Sequence, residues 1–207
     1  MNISVIIPTL DNPDDVFDVI KSLNQQLLLP SEIVIVDSSS KDDIENLTKN
    51  INSLIPITYA RFGRAYRNDR LIMMIKALPI IKYFFQSNPK GRAYPYEATN
   101  YGSLIAKNAW LAFLDATTIP EKNWIKDYAE IIKRNKAEIV FGSTKYLAQT
   151  FFQKILRAST YGANRVETAP GSFMRRKDFL NGFQITEGVR SGGDVDWKNR
   201  VRSNFKS

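Results

Sequence analysis

The sequence predicts an α/β fold, in which a mainly parallel sheet is flanked by helices. Short runs that are apolar almost throughout alternate with segments of helical periodicity, and such runs are typical of strands buried on both faces. The length of 207 residues suits one domain with a full-size core. Because the opening series is β-α-β-α-β, right-handed crossovers should bring the carboxyl ends of the strands to one edge of the sheet.

The first half of the chain supplies this series of elements. In chain order we predict a strand over residues 3–8, a helix from Asn12 and Pro13 to before Pro30, a strand over 32–37, a helix through Ile44, Leu47 and Ile51, and a strand over 57–60. Asn12 as a cap, Pro13 at the first position and acids in the first turn are typical of a helix start. Val16, Val19, Ile20, Leu23 and Leu27 continue the helical spacing.

The second half continues the alternation and then becomes less regular. We predict a helix over residues 97–108, a strand over 110–114 that ends at Asp115, a helix over 124–134, a strand over 138–142 and a helix that starts at Asp194. The loss of periodicity after residue 142 is expected where a regular sheet gives way to a substrate side.

Composition removes several kinds of chemistry. The sequence contains neither cysteine nor histidine, which excludes disulfides, zinc–thiolate sites and Ser-His-Asp catalysis within it. Acid and base catalysis must therefore come from carboxylates, lysines, tyrosines or the substrate. The first strand starts without a basic leader, and no apolar run reaches the length of about 18 residues that spans a bilayer. We therefore expect a cytoplasmic protein.

Positive charge is concentrated between residues 61 and 96. The net charge of the chain is +8, and residues 61–92 carry eight basic side chains against the single acid Asp69. The neighbouring run over 71–85 is apolar almost all round, which predicts a buried helix kinked at Pro79, and residues 61–96 would form a basic helical insertion. This segment could pack in the domain, form a homo-oligomer contact through 71–85, or lie on an anionic membrane surface. No recognition motif accompanies the charge, so we predict no nucleic-acid partner.

Three polar sites follow predicted strands at the ligand-binding edge of the sheet. They are Pro8-Thr9, Asp37 and Asp115. One such residue is usually a turn former or a helix cap, but three at the same edge favour a ligand site. Neither the G-x-G-x-x-G of dinucleotide folds nor the glycine-rich loop of P-loop NTPases is present, so the ligand is of another kind.

Three blocks of the sequence, in the right order, resemble family 2 glycosyltransferases with the GT-A fold. They are V-I-I-P-T with I-V-I-V-D-S-S-S (residues 5–9 and 33–40), T-N-Y-G with A-F-L-D-A-T (99–102 and 112–117), and P-G-S-F-M-R-R, G-F and G-D-V-D-W (170–176, 182–183 and 193–197). The resemblance covers most of the chain outside residues 61–96. It implies a GT-A-like, Rossmann-like sheet with a smaller acceptor-side region.

The resemblance also implies roles for individual residues. A nucleotide-sugar donor would be bound by Pro8, Thr9, Asp37, Asn100 and Asp115, a divalent Mn²⁺ or Mg²⁺ would be held weakly by Asp115, and Asp194 would be the catalytic base of an inverting transfer. The acceptor would be a glycan or a lipid-linked molecule in the synthesis of cell-surface polysaccharide or glycolipid. A location at the inner membrane face would follow from such an acceptor.

Departures from the family pattern leave a second function open. Thr117 replaces the second aspartate of the family's D-x-D element, Gly193 replaces the acid before Asp194, and Thr99 replaces an arginine. The alternative is therefore a nucleotide-sugar-binding protein that has lost metal binding and catalysis. We predict a single domain over 1–207, with a donor-binding half at 1–118 and an acceptor-side half at 119–207. Family members generally continue further, so the second half is expected to be truncated or minimal.

Overall fold

The computed structural model describes residues 1–38, 60–61, 64–65, 80–85, 94–160, 162 and 164–205. The described elements are β1 (Ile3–Thr9), α1 (Pro13–Leu23), β2 (Glu32–Asp37), β3 (Ala60–Arg61), β4 (Arg64–Ala65), β5 (Ile80–Phe85), α2 (Pro95–Ile105), β6 (Trp110–Phe113), α3 (Trp124–Asn135), β7 (Ile139–Thr144), α4 (Phe151–Thr160), β8 (Val166–Arg175), α5 (Arg176–Leu180) and α6 (Gly193–Asn204). Among these helices, none is long and apolar enough to cross a membrane.

A six-stranded sheet organises the described part of the chain. Its strand order is β5-β2-β1-β6-β8-β7. The first four strands are parallel to one another, whereas β8 runs antiparallel to both β6 and β7. The predicted α/β class with a mainly parallel sheet is confirmed, and the carboxyl ends of β1, β2 and β6 meet at one edge.

Helices cover both faces of this sheet. On one face, alternate residues of β1 and β2 pack against α1 and α3, with Trp124 and Ile125 buried between them. On the other face, the intervening residues pack against α2, α5 and α6, and Trp197 is fully buried there. Burial on both faces explains why these strands are apolar at nearly every position.

The helix predicted from Asn12 ends earlier than its periodicity indicates. Its last helical residue is Leu23, and Asn24 donates its backbone N–H to the Ile20 carbonyl. Beyond it, Gln26 bonds the Glu121 carbonyl and the Ile125 N–H, which ties this turn to the start of α3. Leu27 is consequently 67% exposed rather than part of the packed face.

The helix predicted through residues 71–85 is wrong for its last six residues. Ile80–Phe85 form β5, which pairs in parallel with β2 along its whole length. β-branched and aromatic residues favour a strand, and a six-residue segment after Pro79 is too short for a typical helix. The predicted helical insertion over 61–96 is corrected only at its described residues: 60–61 pair antiparallel with 64–65, and α2 begins at Pro95. Its residues 66–79 and 86–93 lie outside the described part of the chain. A subunit contact through a helix at 71–85 loses its basis over 80–85.

The remaining early elements fall largely beyond what the structure describes. The helix predicted through Ile44, Leu47 and Ile51 and most of the strand over 57–60 lie outside the described residues. Ala60, the last residue of that predicted strand, belongs to β3 and pairs with Ala65. In the sheet, β2 lies between β1 and β5, and β5 is the edge strand.

A buried carboxylate fixes the amino edge of the sheet, opposite the ligand edge. Glu32 at the start of β2 accepts a hydrogen bond from the Ser4 hydroxyl at 2.5 Å and another from the Lys107 backbone N–H at 2.9 Å. The Asn108 amide donates to the Ser4 hydroxyl at 3.0 Å. This network joins β1 and β2 to the turn between α2 and β6.

The pairing of β7 with β8 depends on close backbone contact at Gly142. The register shifts between Val140 and Gly142, and the Gly142 N–H donates to the Ser172 hydroxyl at 2.8 Å. A Cβ atom at residue 142 would overlap the Pro170 carbonyl and lie 2.9 Å from the Thr168 carbonyl. Only glycine allows the two strands to approach this closely.

We therefore predict that Gly142→Ala destabilises the protein. The new methyl group meets backbone atoms that cannot rotate away, so the free energy of unfolding should fall by about 1–3 kcal/mol, as for other overpacked sites. Ser143→Ala, one residue further along and exposed, should change it by less than about 0.5 kcal/mol. Urea denaturation of both variants checks this. Equal stability of the two would show that β8 can move away at little cost.

Candidate functional site

A cavity of about 420 Å³ opens at the carboxyl edge of the sheet. It lies among the ends of β1 and β6, the start of α2, the first part of β8 and the first turn of α6. The residues used below that line it are Pro8, Thr9, Ser38, Tyr96, Asp115, Thr117, Ile185 and Asp194. This is the edge at which open parallel sheets bind their ligands.

The cavity brings together some of the predicted site residues and not others. Pro8-Thr9, Asp115 and Asp194 line it, although they come from β1, from the end of β6 and from α6. Asp37 ends β2 at the same edge, but its side chain is only 2% exposed and does not line the cavity. Its neighbour Ser38 does. Asn100 is also buried and lies outside the lining.

The ends of β1 and β2 present two hydroxyl groups. The Ser38 N–H donates to the Thr9 carbonyl at 3.0 Å, which continues the parallel pairing to the cavity wall. In the described part of the chain, neither the Thr9 hydroxyl nor the Ser38 hydroxyl has a hydrogen-bond partner, and both are buried. A buried hydroxyl without a partner costs about 1–3 kcal/mol, which a polar ligand group could recover.

Asp115 is a carboxylate in an unfavourable environment for charge. Its side chain reaches solvent through the open side of the cavity, while protein surrounds it on the other sides. This loss of water, with a smaller contribution from the negative charge of Asp194, raises the pKa of Asp115 to about 6. The two carboxylates share one recess, since both line the cavity.

Asp194 is held by a tyrosine that the sequence analysis did not single out. The Tyr96 hydroxyl, at the start of α2, donates a hydrogen bond to Asp194 Oδ1 at 3.2 Å. Burial, and next the negative charge of Asp194, raise the pKa of Tyr96, so this hydroxyl stays a donor at neutral pH. The same tyrosine explains Gly193, because a Cβ atom there would lie 2.7 Å from the Tyr96 ring.

The Tyr96 ring, which belongs to α2, therefore occupies the space that a side chain at residue 193 would need. Gly193 is the position at which the sequence lacks the acid of the family pattern. The signal in the sequence was Tyr94-Pro95-Tyr96, a proline between two aromatic residues at a helix start. Nothing in its spacing indicates a contact with residues almost one hundred positions away. Asp196, the second acid of the same turn, is directed elsewhere and bonds Arg200 and Thr186.

Asn100 supports the cavity wall from behind. Its amide donates to the Ile185 carbonyl at 2.7 Å and to Glu187 at 2.9 Å, and its side-chain oxygen accepts the Ile185 N–H at 3.0 Å. Ile185 lines the cavity. The side chain predicted to bind the donor thus anchors the segment that forms one wall.

The oxygen ligands in the cavity would hold a divalent cation only weakly. Asp115, Asp194 and the Thr117 hydroxyl are oxygen ligands of the kind that Mg²⁺ and Mn²⁺ accept, and a cation would relieve the repulsion between the two carboxylates. Within the described ranges, no group of three or more acidic residues is close enough together to hold a metal ion. The remaining ligands would have to come from a bound molecule or from water.

Comparisons with known proteins agree with this architecture. Residues 4–67 match the family described as Glycosyl transferase family 2. The chain is 23% identical over 149 residues to a chondroitin synthase of Escherichia coli, which covers 70% of this chain and 18% of that protein. It is 21% identical over 210 residues to glycosyltransferase AglE of Haloferax volcanii, which covers 96% of this chain and 60% of AglE. The chain therefore spans less than two thirds of either relative.

A solved structure shows the same fold. S. aureus TarS 1-349, crystallised in complex with UDP-GlcNAc, superimposes with a TM-score of 0.65 at 18% sequence identity, over 99% of this chain and 54% of that one. A likeness at this level of identity concerns the fold alone. Together with the match over residues 4–67, it confirms the resemblance of this chain to family 2 glycosyltransferases and its GT-A-like α/β fold.

Proposed function

We propose that this protein binds a nucleoside-diphosphate sugar in the cavity and transfers the sugar to an acceptor hydroxyl. The observation that carries the proposal is the meeting of Asp115 and Asp194 at the ligand edge of a GT-A-like sheet. The TarS structure was crystallised with UDP-GlcNAc, and the two relatives are named as a chondroitin synthase and a glycosyltransferase. We assign the donor to residues 1–118 and the acceptor side to residues 119–207.

The nucleotide would lie along the ends of β1 and β2. Pro8-Thr9 and Ser38 line this part of the cavity, and the hydroxyls of Thr9 and Ser38, which have no partner among the described residues, could bond polar groups of the ligand. Asp37, one residue from the wall, would contact the base from the position that the family resemblance implies. Asn100 would act indirectly, by holding Ile185 in place.

A divalent cation would be held by Asp115, with diphosphate oxygens as its other main ligands. Such a cation supplies positive charge for the departing diphosphate. A single carboxylate, with Thr117 in place of a second one, predicts weak binding of Mn²⁺ or Mg²⁺ without nucleotide.

Asp194 would act as the general base. As the acceptor oxygen forms a bond to the anomeric carbon, the bond from that carbon to the diphosphate oxygen breaks, and Asp194 takes the proton of the acceptor hydroxyl. Attack from the face opposite the leaving group inverts the configuration. Tyr96 would orient the carboxylate through its hydrogen bond to Oδ1. The base must be close to the acceptor, which agrees with the place of Asp194 on the acceptor-side half.

The wider setting follows from the same assignment. We propose a cytoplasmic enzyme at the inner membrane face that acts on a glycan or lipid-linked acceptor in cell-surface polysaccharide or glycolipid synthesis. The basic residues between 61 and 96 would favour an anionic surface. A homo-oligomer remains part of this proposal, without the helical contact through residues 80–85.

Thr117 favours a second candidate function, a protein that binds nucleotide-sugars without transferring the sugar. The experiment that separates the two is release of nucleoside diphosphate from a panel of UDP-, GDP- and dTDP-sugars, measured with and without Mn²⁺ alongside binding of each donor. Turnover of at least one donor supports the enzyme. Binding without turnover supports the alternative, and absence of both overturns the shared pocket.

Asp37→Ala is predicted to weaken nucleoside diphosphate binding by about 1–3 kcal/mol, the usual cost of removing a charged hydrogen-bond partner. Glu32→Gln is the matched control, because Glu32 is the other buried carboxylate of β2 and lies at the opposite edge. Calorimetric titration should show weaker binding for Asp37→Ala only. If both variants lose stability and neither loses affinity, Asp37 has a structural role alone.

Asp115→Asn is predicted to stabilise the protein at neutral pH. Because the folded-state pKa of Asp115 is raised to about 6 from an ordinary 3.8, its ionisation opposes folding, and stability falls as pH rises between these values. The variant should therefore melt at a higher temperature than the wild type at pH 7.5, and the two should converge near pH 4. Added Mn²⁺ with nucleoside diphosphate should stabilise only the wild type. A lower melting temperature for the variant at pH 7.5 would contradict the shared recess.

Asp194→Asn is predicted to reduce the turnover number by about 10²- to 10⁴-fold with little change in donor affinity, because a general base acts in the transition state. Asp196→Asn is the control on the same helical turn. Asp196 is exposed and paired with Arg200, so its loss should leave the rate nearly unchanged. Rates and melting temperatures of both variants give the answer, and an active Asp194→Asn enzyme would remove this residue from the mechanism.

A further inference from the structure

Helix α4 has an apolar face that the rest of the described chain leaves uncovered. None of its ten residues is buried. Five large apolar side chains on this helix and just before it are between 50% and 81% exposed, namely Leu147, Phe151, Phe152, Ile155 and Leu156. An exposed apolar cluster of this size is unusual on a monomeric surface and marks a site of contact with another phase or molecule.

The helix is nevertheless well defined at both ends by local hydrogen bonds. Thr150 and Gln153 form a reciprocal cap, in which the Gln153 N–H donates to the Thr150 hydroxyl at 3.2 Å and the Thr150 N–H donates to Gln153 Oε1 at 3.0 Å. At the other end the Gly162 N–H bonds the Arg157 carbonyl, with φ of +71° at Gly162. The two ends of the helix are therefore fixed by local hydrogen bonds, although its apolar side chains are not packed on the sheet.

The charge around this face has one sign. Residues 139–166 contain four basic side chains and no acid. Arg165 is paired with Glu121, whereas Lys145, Lys154 and Arg157 have no acidic partner in the part of the chain that the structure describes. On a helical projection Lys154 and Arg157 lie on the side opposite Phe152 and Leu156, so the helix has a basic polar face and an aromatic and aliphatic face.

We propose that α4 binds the surface of an anionic lipid bilayer, with Phe151, Phe152, Ile155 and Leu156 in the boundary between headgroups and acyl chains. A short amphipathic helix with lysine and arginine on its polar face and phenylalanine and leucine on the other is the usual form of an interfacial membrane contact. Lys154 and Arg157 then lie on the polar face, away from the acyl chains, and their charge attracts the helix to an anionic surface within a Debye length.

The position of α4 in the fold relates this contact to the cavity. β7 runs in the same direction as β6, because both are antiparallel to β8, so α4 leaves the sheet at the edge that carries the cavity. The residues that follow α4 enter β8, whose Ala169 and Pro170 line the cavity. The chain therefore leaves the sheet toward α4, and returns from it, on the side that carries the cavity. The binding claim itself does not depend on the proposed transfer reaction.

The absence of cysteine allows a site-specific test. A single cysteine, introduced as Phe152→Cys, is labelled with a dye that reports apolar surroundings, and the matched control is Leu104→Cys. Leu104 is 56% exposed and lies at the amino edge of the sheet, near the end of α2. Each labelled protein is mixed at low salt with vesicles of phosphatidylglycerol and phosphatidylcholine, and separately with vesicles of phosphatidylcholine alone.

We expect the fluorescence emission of the dye at residue 152 to shift to the blue and that of the dye at residue 104 to stay unchanged. The shift should occur with anionic vesicles only, and high salt should reverse it. In co-sedimentation of unlabelled protein, Phe152→Ser should reduce vesicle affinity by about tenfold, since a large apolar side chain no longer enters the boundary. Lys154→Gln should reduce it by several-fold, with unchanged melting temperatures showing that the fold is intact.

Three results would overturn the proposal. The first is no sedimentation of the wild type with anionic vesicles. The second is a lipid contact that belongs to the basic segment and not to α4. It would be seen as sedimentation without a shift at residue 152. It would also be seen as sedimentation that Phe152→Ser keeps and that a variant with Arg61, Arg64, Arg67 and Arg70 all changed to Gln loses. The third is a dimer in solution that Phe152→Ser dissociates, which would mean that a second copy of the chain covers α4.

Discussion

The architecture depends on bringing two like charges, Asp115 and Asp194, into one recess at the edge of the sheet. Protein surrounds Asp115 except where the cavity opens, so its ionised form is disfavoured, and Asp194 adds to that effect. Such an arrangement costs stability in the free protein and is maintained only because the surrounding fold enforces it. A positively charged ligand would relieve it, which supports the proposal that a cation binds here together with a diphosphate.

Two parts of the fold hold the two carboxylates in place: β6 positions Asp115, and α6 positions Asp194. Asp115 follows β6, which is buried at the centre of the sheet between β1 and β8, so its backbone has little freedom. Asp194 belongs to the first turn of α6, which Trp197 anchors in the core below. Tyr96 joins the two sides, because its ring rests on Gly193 and its hydroxyl bonds Asp194. Helix α2, which carries Tyr96, thereby links the ligand edge of the sheet to α6.

Most of the parallel core could be predicted from the sequence, since burial on both faces produces the continuous apolar runs of β1 and β2. The structure of the segment before α2 could not be predicted in this way, because an apolar run such as 71–85 has no periodicity that distinguishes a strand from a helix. Residues 80–85 form a strand because they pair with β2. The edge positions of Asp37 and Asp115 followed from strand order. The burial of Asp37, the structural bonds of Asn100 and the Tyr96–Asp194 contact arise from tertiary packing, which no local pattern reports.

Paramagnetic broadening of backbone amide signals by Mn²⁺ tests the central claim most directly. With the best-bound of UDP, GDP and dTDP present, the account predicts selective broadening at Asp115, Thr117 and Asp194, and none at Lys133 and Arg134 near the far end of α3. The broadening should depend on the nucleotide, because the protein alone offers too few ligands. Broadening centred away from the cavity, or the same broadening without nucleotide, would contradict a shared site for diphosphate and cation at Asp115.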